Sequence, residues 1–315
     1  MRVAVLAGGS SLEREVSLRS GRRVQSALHA SGHDAVVLDP GEVPLADALS
    51  RERYDVCFIG LHGVEGEDGT VQRLLELLEI PYTGTGPFSC QVAFDKALAK
   101  EALVQAGIPT PSWVTLQAAA LRDLGAGAAL DRVLDLLGLP LVVKPALAGS
   151  AMGLRFVENA ADFPAAVMGA LAFSDAAIVE QLIDGKEVAA GLLGAPAAVL
   201  PLVEVVPKSG VFDYASRYTA GATEYHAPAR IPPDVAGSCE REALRAFQVL
   251  GLRDVARADL MIDSDGRPWV LEVNVAPGMT ETSLLPMAAQ AAGLSFEELC
   301  ERVIDLAVAR ALGAR

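Results

Sequence analysis

Two short apolar stretches near the C-terminal end carry oxygen donors at strand spacing. Arg257-Ala-Asp259-Leu-Met-Ile and Leu271-Glu272-Val273-Asn274 are rich in β-prone residues, and Asp265-Gly266, a hairpin turn signal, lies between them. Pairing the two strands would gather Asp259, Glu272 and Asn274 on one surface. Two carboxylates and an amide carbonyl are hard donors. They suit Mg²⁺, which takes one or two carboxylates and completes its octahedron with water and phosphate oxygens. A hairpin with solvated polar residues is the plainer reading. The residues that follow weigh against it: Val275-Ala276-Pro277-Gly278-Met279-Thr280 is a turn that carries exposed backbone N–H groups toward the same place.

A second set of residues could hold phosphate. Lys144 ends the apolar strand Leu141-Val-Val-Lys144-Pro145, so its charge projects from the end of a buried element. Ala148-Gly149-Ser150-Ala151-Met152-Gly153 follows, and small residues let backbone N–H groups approach an anion closely. No Gly-Lys-Ser/Thr ends this loop, so it is not a Walker A sequence. Lys96, in Asp95-Lys96-Ala-Leu-Ala-Lys100, starts a helix and adds a second cation. Each feature alone reads as an ordinary turn or a solvated lysine. With the oxygen-donor set they favour a triphosphate site. In Val179-Glu180-Gln181-Leu182-Ile183 an acid interrupts an apolar strand; Glu180 could accept from an adenine amino group, with backbone at 181–183 reading the ring edge and Glu187 binding ribose hydroxyls.

These groups need a scaffold. Arg2–Ala7 reads as a buried strand, Gly8-Gly9-Ser10-Ser11 turns it, and residues 15–30 have helical spacing; strands at 35–38 and 56–59 and a helix at 68–78 follow. Strands alternating with helices predict a parallel sheet covered on both faces. This first unit spans 1–88. A second, 89–184, opens with a helix over 93–106, stopped by Gly107-Ile108-Pro109. It continues with strands at 113–116, 141–145, 154–157 and 176–180, helices at 130–137 and 163–171, and a surface connection at 124–129. A third, 185–315, is richer in strands and carries helices at 234–250 and 296–312.

Composition narrows the classes. The 315 residues are 51% hydrophobic and 21% charged, enough for a sizeable core and about two domains. A net charge of −14 argues against a broad nucleic-acid surface, so an anionic substrate needs a local basic pocket or a metal. Cys57, Cys90, Cys239 and Cys300 form no C-x-x-C and suit reduced thiols. No leader or apolar run of spanning length is read, which leads to the expectation of a cytoplasmic protein with no membrane partner.

Taken together, these stretches resemble the D-alanine–D-alanine ligases of the ATP-grasp superfamily, in order along nearly the whole chain. The resemblance rests on Gly8-Gly9-Ser-Ser-Leu-Glu13-Arg14-Glu15-Val16-Ser17, His62-Gly63-Val-Glu-Gly66-Glu67-Asp68-Gly69, Pro81-Tyr82-Thr83-Gly84 and Asp95-Lys96. It continues through Val143-Lys144-Pro145, Gly149-Ser150, Phe212-Asp213-Tyr214 with Tyr218, Arg257-Ala-Asp259 and Glu272-Val-Asn274-Val-Ala-Pro277-Gly278-Met279-Thr280. The Glu-Arg-Glu-Val-Ser and Pro-Gly-Met-Thr elements are the most specific.

The resemblance implies an α/β fold: an N-terminal doubly wound parallel-sheet domain followed by a two-subdomain ATP-grasp fold. It implies ATP-dependent joining of two D-alanines through an acyl phosphate, for peptidoglycan precursors, with ATP, two Mg²⁺ (Mn²⁺ as substitute) and a homodimer. Glu13 would hold the first D-alanine's ammonium and join Ser150 and Tyr218 in a triad that locks the loop at 148–153. His62 would lie beside the substrate carboxylate, or be a buried hydrogen-bonding histidine. Arg257 and the Gly278 N–H would bind the oxyanion, and Ser283-Leu284 the second carboxylate. Lys96, Lys144 and Arg217 would contact phosphates; Glu180, Gln181, Ile183 and Glu187 the nucleoside; and Asp259, Glu272 and Asn274 the metal.

The chain departs from the family pattern at Phe94 (Met), Ala151 (Ser), Gln181 (Lys), Arg217 (Lys) and Val275 (Thr or Ser). None removes a proposed metal ligand or triad member. Tyr218 favours an amine as second nucleophile, because relatives that make D-alanyl-D-lactate lack it; D-serine stays open. Rival readings are another ATP-grasp amino-acid ligase, a catalytically silent nucleotide-binding protein, and a dinucleotide-dependent dehydrogenase. The last fails on the missing third glycine, where Leu12, Glu13 and Arg14 stand.

Overall fold

Three sheets, each with helices on it, form the computed structural model, which describes residues 1–208, 219 and 221–313. The first is parallel, order β2-β1-β3, from β1 (Arg2–Leu6), β2 (Asp34–Leu38) and β3 (Val56–Ile59). Strand periodicity sends alternate residues of β1 to opposite faces. Val3 and Val5 pack with Val24 and Leu28 of α1 (Arg14–Ala30). Ala4 and Leu6 pack with Leu49 of α2 (Leu45–Arg51) and Val71 and Leu75 of α3 (Thr70–Leu77). Both faces are therefore covered, as the alternating pattern predicts. One cover comes from the other end of the sequence: Leu299, Val303, Ile304 and Ala307 of the helix Phe296–Gly313 share the core of Val3, Val5 and Val56.

Residues 87–105 form two helices, α4 (Pro87–Phe94) and α5 (Lys96–Gln105), whereas the sequence suggests a single helix over 93–106. Asp95 breaks them. It has extended backbone, and its carboxylate accepts from the Ala97 and Leu98 N–H groups, an N-cap that fixes where α5 starts. The second sheet is antiparallel, order β4-β7-β5-β6, from β4 (Trp113–Gln117), β5 (Leu141–Pro145), β6 (Arg155–Val157) and β7 (Ala176–Gln181). Leu141, Val143, Ala177 and Val179 point into the core with Val133 of α7 (Gly127–Leu137) and Phe163 and Val167 of α8 (Phe163–Leu171). Period-2 alternation then aims Lys144 and Glu180 at the opposite face. The expected connection at 124–129 shrinks to Gly125 and Ala126, because α6 (Ala118–Leu124) and α7 extend into it.

The third sheet, order β11-β10-β8-β12-β13 with β9 on β8, is antiparallel: β8 (Lys186–Gly194), β9 (Ala197–Val199), β10 (Val203–Pro207), β11 (Thr223–His226), β12 (Asp254–Ile262) and β13 (Pro268–Asn274). Its core face meets the helix Pro233–Val249 and the apolar sides of α4 and α5. Ala97 of α5 packs instead against Ala146, Ile178 and Trp113, so α5 bridges the second and third sheets. All four cysteines are buried free thiols, and burial pushes Cys57 up to about 12. No helix among the described residues is long and apolar enough to cross a membrane.

Candidate active site

The hairpin expected near the C-terminal end forms, and its register sets the chemistry. Arg257 pairs with Asn274 and Asp259 with Glu272, so all four side chains share one face of β12 and β13. The turn is longer than Asp-Gly alone: the Asp263 carboxylate accepts from the Asp265 and Arg267 N–H groups. The register shifts after Asp259, where Leu260 pairs with Val270 and Leu271 is the extra residue. This bulge keeps Val270 in the core and turns Leu271 toward the cleft, beside Met261. Arg257 forks onto Asp259, with Nε–Oδ1 2.6 Å and Nη2–Oδ2 2.7 Å. Burial opposes the guanidinium's charge, but Asp259 outweighs it and holds the Arg257 pKa above its ordinary value. Lys96 Nζ lies 3.5 Å from Glu272 and donates to the Ala148 carbonyl at 2.6 Å, which ties α5 to the loop at 148–153. Asn274 Oδ1 accepts from the Ala276 N–H at 3.0 Å and shapes the turn that follows.

That loop closes on Glu13. Ser150 Oγ donates to Glu13 Oε1, and both side chains line a small chamber with Arg257, Gly278 and Ser283. Glu13 stands just before α1, yet its side chain makes no cap hydrogen bond; it is buried and turned toward the loop. A Cβ at Gly149 would lie 2.6 Å from Glu13 Oε2, so the loop reaches the carboxylate because glycine is there. Ser150 and Ala151 both have left-handed backbone, φ 53° and 55°, a costly arrangement for two successive non-glycine residues. Glu67, not singled out from sequence, also lines the chamber; burial and the Glu13 charge push it up to about 8, and it accepts from the Gly63 N–H at 2.7 Å.

His62 is at the chamber wall with both ring nitrogens engaged. Nδ1 is 3.1 Å from the Ala276 carbonyl, which can only accept, so Nδ1 carries the proton. Nε2 then accepts from Ser20 Oγ at 3.2 Å, and Ser20 Oγ in turn accepts from the Met279 N–H at 3.2 Å. Burial pushes His62 down to about 4, in keeping with this neutral tautomer. These are the contacts of a buried hydrogen-bonding histidine, and the ring also lines the chamber. Arg23 grips the same turn, donating to the Met279 and Thr280 carbonyls at 2.9 and 2.8 Å. Ser283 Oγ accepts from the Thr280 N–H at 2.9 Å at the start of the helix Leu284–Ala291, and Leu284 closes the chamber.

Across Glu272 and Gly149 opens a larger cavity of about 700 Å³, the size of a small-molecule cleft. Lys144 Nζ donates to Glu180 Oε1 at 2.6 Å, and Lys100 Nζ lies 3.0 Å from Glu180 Oε2. Burial would raise Glu180, but the two ammonium groups hold its carboxyl below the usual range. The Gln181 and Leu182 N–H groups donate to the Ser112 and Pro140 carbonyls; Ile183 N–H has no acceptor among the described residues. Glu187, on β8 opposite Met261, lines the same cavity. Arg217 and Tyr218 lie outside the described residues. Met261 was within reach of period-2 reading from Arg257 and Asp259. Leu271 was not, because the bulge breaks that period.

The chain is similar to known proteins along nearly its whole length. The family model "D-ala D-ala ligase C-terminus" matches residues 102–305, and "D-ala D-ala ligase N-terminus" matches 41–85. A D-alanine–D-alanine ligase of Pelotomaculum thermopropionicum is 43% identical over 309 residues, covering 98% of this chain and 97% of that one. Among solved structures, the D-alanine–D-alanine ligase of Bacillus anthracis complexed with ATP superposes with a TM-score of 0.84 at 28% identity, covering both chains fully. The VanG D-Ala:D-Ser ligase of Enterococcus faecalis gives 0.82 at 28% identity over 97% of this chain and 98% of that one. By its own motifs, its fold and these relatives, the chain belongs to the D-alanine–D-alanine ligase family.

Proposed function

We propose that this chain uses ATP to join two D-alanines into D-alanyl-D-alanine, the dipeptide of peptidoglycan precursors. The observation that carries the reading is the hairpin face between two compartments. Glu272 borders both the 700 Å³ cavity, sized for a nucleotide, and the small chamber built from Glu13, Ser150, Arg257, Gly278 and Ser283. A phosphoryl group leaving one compartment meets a carboxylate held in the other.

In this reading Lys96 and Lys144 bind phosphate oxygens. Glu180 and the backbone from Gln181 to Ile183 receive the adenine, and Glu187 the ribose. Glu13 holds the ammonium of the first D-alanine while its carboxylate oxygen attacks the γ-phosphorus and ADP leaves. The neutral amine of the second D-alanine, its carboxylate at Ser283 and Leu284, then attacks the acyl carbon. The tetrahedral intermediate has its oxyanion at Arg257 and the Gly278 N–H; it expels phosphate, and the amine nitrogen loses a proton. His62 acts through the turn it holds, keeping the Gly278 N–H aimed. The Ser150–Glu13 contact keeps water from the acyl phosphate.

The donor set fits magnesium. No group of three His, Cys, Asp or Glu side chains gathers for a metal among the described residues; the hairpin offers Asp259, Glu272 and the Asn274 amide oxygen. Two carboxylates and an amide leave the remaining positions to phosphate and water, a hard-oxygen set for Mg²⁺ or Mn²⁺ rather than zinc. Bound there, two ions would neutralise charge on the transferring phosphoryl group. We further propose a cytoplasmic homodimer with units at 1–88, 89–184 and 185–315.

Incubation with ATP, Mg²⁺ and a panel of D- and L-amino acids and D-lactate, with phosphate release and product mass both read, tests the assignment. D-alanine alone is expected to give dipeptide; turnover only with a different pair, such as D-alanine with D-serine, would replace the substrate claim. Ser150→Ala is expected to lower dipeptide yield by about tenfold or more and to release phosphate without product, because the loop loses its tie to Glu13. Full coupling in that variant would show that the contact does not guard the intermediate.

A further inference from the structure

Behind the cavity wall stands a lysine with no assigned role. Lys100 is 1% exposed, among the most buried side chains of the protein, and lines neither compartment. A buried ammonium needs an acceptor for each proton. Lys100 has two hydrogen-bond acceptors, Thr110 Oγ1 at 2.7 Å and the Pro111 carbonyl at 3.1 Å, and Glu180 Oε2 forms an ion pair with it at 3.0 Å. The Trp113 ring adds a cation–π contact at 5.2 Å. This set of partners marks a charge that the fold is built to keep.

Its partner explains why. Glu180 is 4% exposed, and its other oxygen holds Lys144 at 2.6 Å. With only one lysine, carboxylate and ammonium would close into a neutral pair, and Lys144 would be bound up in it. The second lysine takes up the remaining carboxylate charge and leaves the group with one net positive charge, facing the cavity through Lys144. We infer that Lys100 is a positioning residue for the nucleotide: by holding the second oxygen of Glu180 it leaves Lys144 cationic toward the phosphates and fixes the carboxylate against the adenine side. This rests on reading the cavity as a nucleotide site.

Lys100 sits one helical turn beyond Lys96 on α5. One short helix thus supplies a cation to the loop and hairpin and another to the back of the wall. The charged groups around the Lys100 ammonium are Glu180 on β7 and Lys144 on β5, with Glu272 on β13 farther off; Trp113 on β4 and Thr110 are neutral. Burial, aided by Lys144, pushes Lys100 down to about 8 against the pull of Glu180. Its charge, present at neutral pH, is therefore lost as pH rises through about 8.

Calorimetric titration of the full chain with ATP and Mg²⁺ at pH 7 tests the inference in wild type, Lys100→Met, Glu180→Gln and the double variant. Lys100→Met is expected to weaken ATP binding by about tenfold or more, as for a lost charged hydrogen bond, with the KM for D-alanine little changed. In the Glu180→Gln background the same replacement is expected to change ATP affinity by less than about twofold, because no carboxylate is left to hold Lys144. Wild-type affinity is expected to fall between pH 7 and 9, with a flatter profile in Lys100→Met. Unchanged ATP affinity in Lys100→Met, or equal losses in both backgrounds, would overturn the inference while leaving the nucleotide site standing. Should Lys100→Met fail to fold, the comparison of Glu180→Gln with the double variant decides, and a tenfold loss there counts against it. If the wild type takes up no ATP, the nucleotide reading falls and this inference with it.

Discussion

The two charged walls that face the large cavity are built to opposite rules. On the second sheet one carboxylate, Glu180, sits between two ammonium groups, so the wall is left positive. On the third sheet two carboxylates, Asp259 and Glu272, meet the Arg257 guanidinium and the Lys96 ammonium, so among the described residues the charges of the hairpin are matched. A wall with surplus positive charge can attract a bare polyphosphate. A balanced one has little reason to bind a divalent cation alone; it gains from the cation when phosphate oxygens arrive with it. The difference suggests an order of assembly in which nucleotide and metal enter together.

The strongest test of the balanced wall separates its two carboxylates. Asp259→Ala is expected to lower dipeptide formation about a thousandfold and to cost about 3 kcal/mol of stability, because it strands the buried Arg257. Glu272→Ala is expected to match the loss of activity without the loss of stability, since its side chain is 29% exposed and Lys96 keeps the Ala148 carbonyl. Chemical unfolding beside turnover assays checks both, and near-normal rates in either would remove that residue from the metal set. A smaller effect concerns Mg²⁺ itself. Its affinity for the protein is expected to rise by about tenfold or more when a nonhydrolysable ATP analogue is present, a coupling of about 1.4 kcal/mol or more. Equal affinity with and without the analogue, measured by calorimetry, would break the contrast between the walls.

The smallest effect comes from His62, which has no ion pair among the described residues. Its folded pKa of about 4 is below the usual 6.5. The neutral ring therefore contributes stability that is complete above pH 6.5 and is lost as pH falls toward 4. NMR titration is expected to find one of the four histidines unprotonated throughout pH 5–8; a midpoint near 6.5 for His62 would contradict the tautomer derived from Ala276 and Ser20.

The hairpin was legible because its oxygen donors alternate on strands joined by a turn signal, and local pattern is enough for that. The parallel N-terminal sheet was legible for the same reason. Lys100 was not. Its spacing from Lys96 reads as a solvated helix face, and only the Thr110-Pro111 segment and β7, packed over it, make it a buried cation. Leu271 was hidden by a bulge. Nothing local gave the hydrogen bonds of His62, because its partners, Ser20 and Ala276, come from distant parts of the chain.

The helix Phe296–Gly313 has a consequence for synthesis. Val3, Val5 and Val56 leave the ribosome long before Leu299, Val303, Ile304 and Ala307, which help cover them. Domain-by-domain folding during translation therefore cannot finish the opening sheet. A nascent chain stalled before residue 296 would present a partly uncovered apolar face, a natural target for chaperones and an aggregation risk in any truncated product.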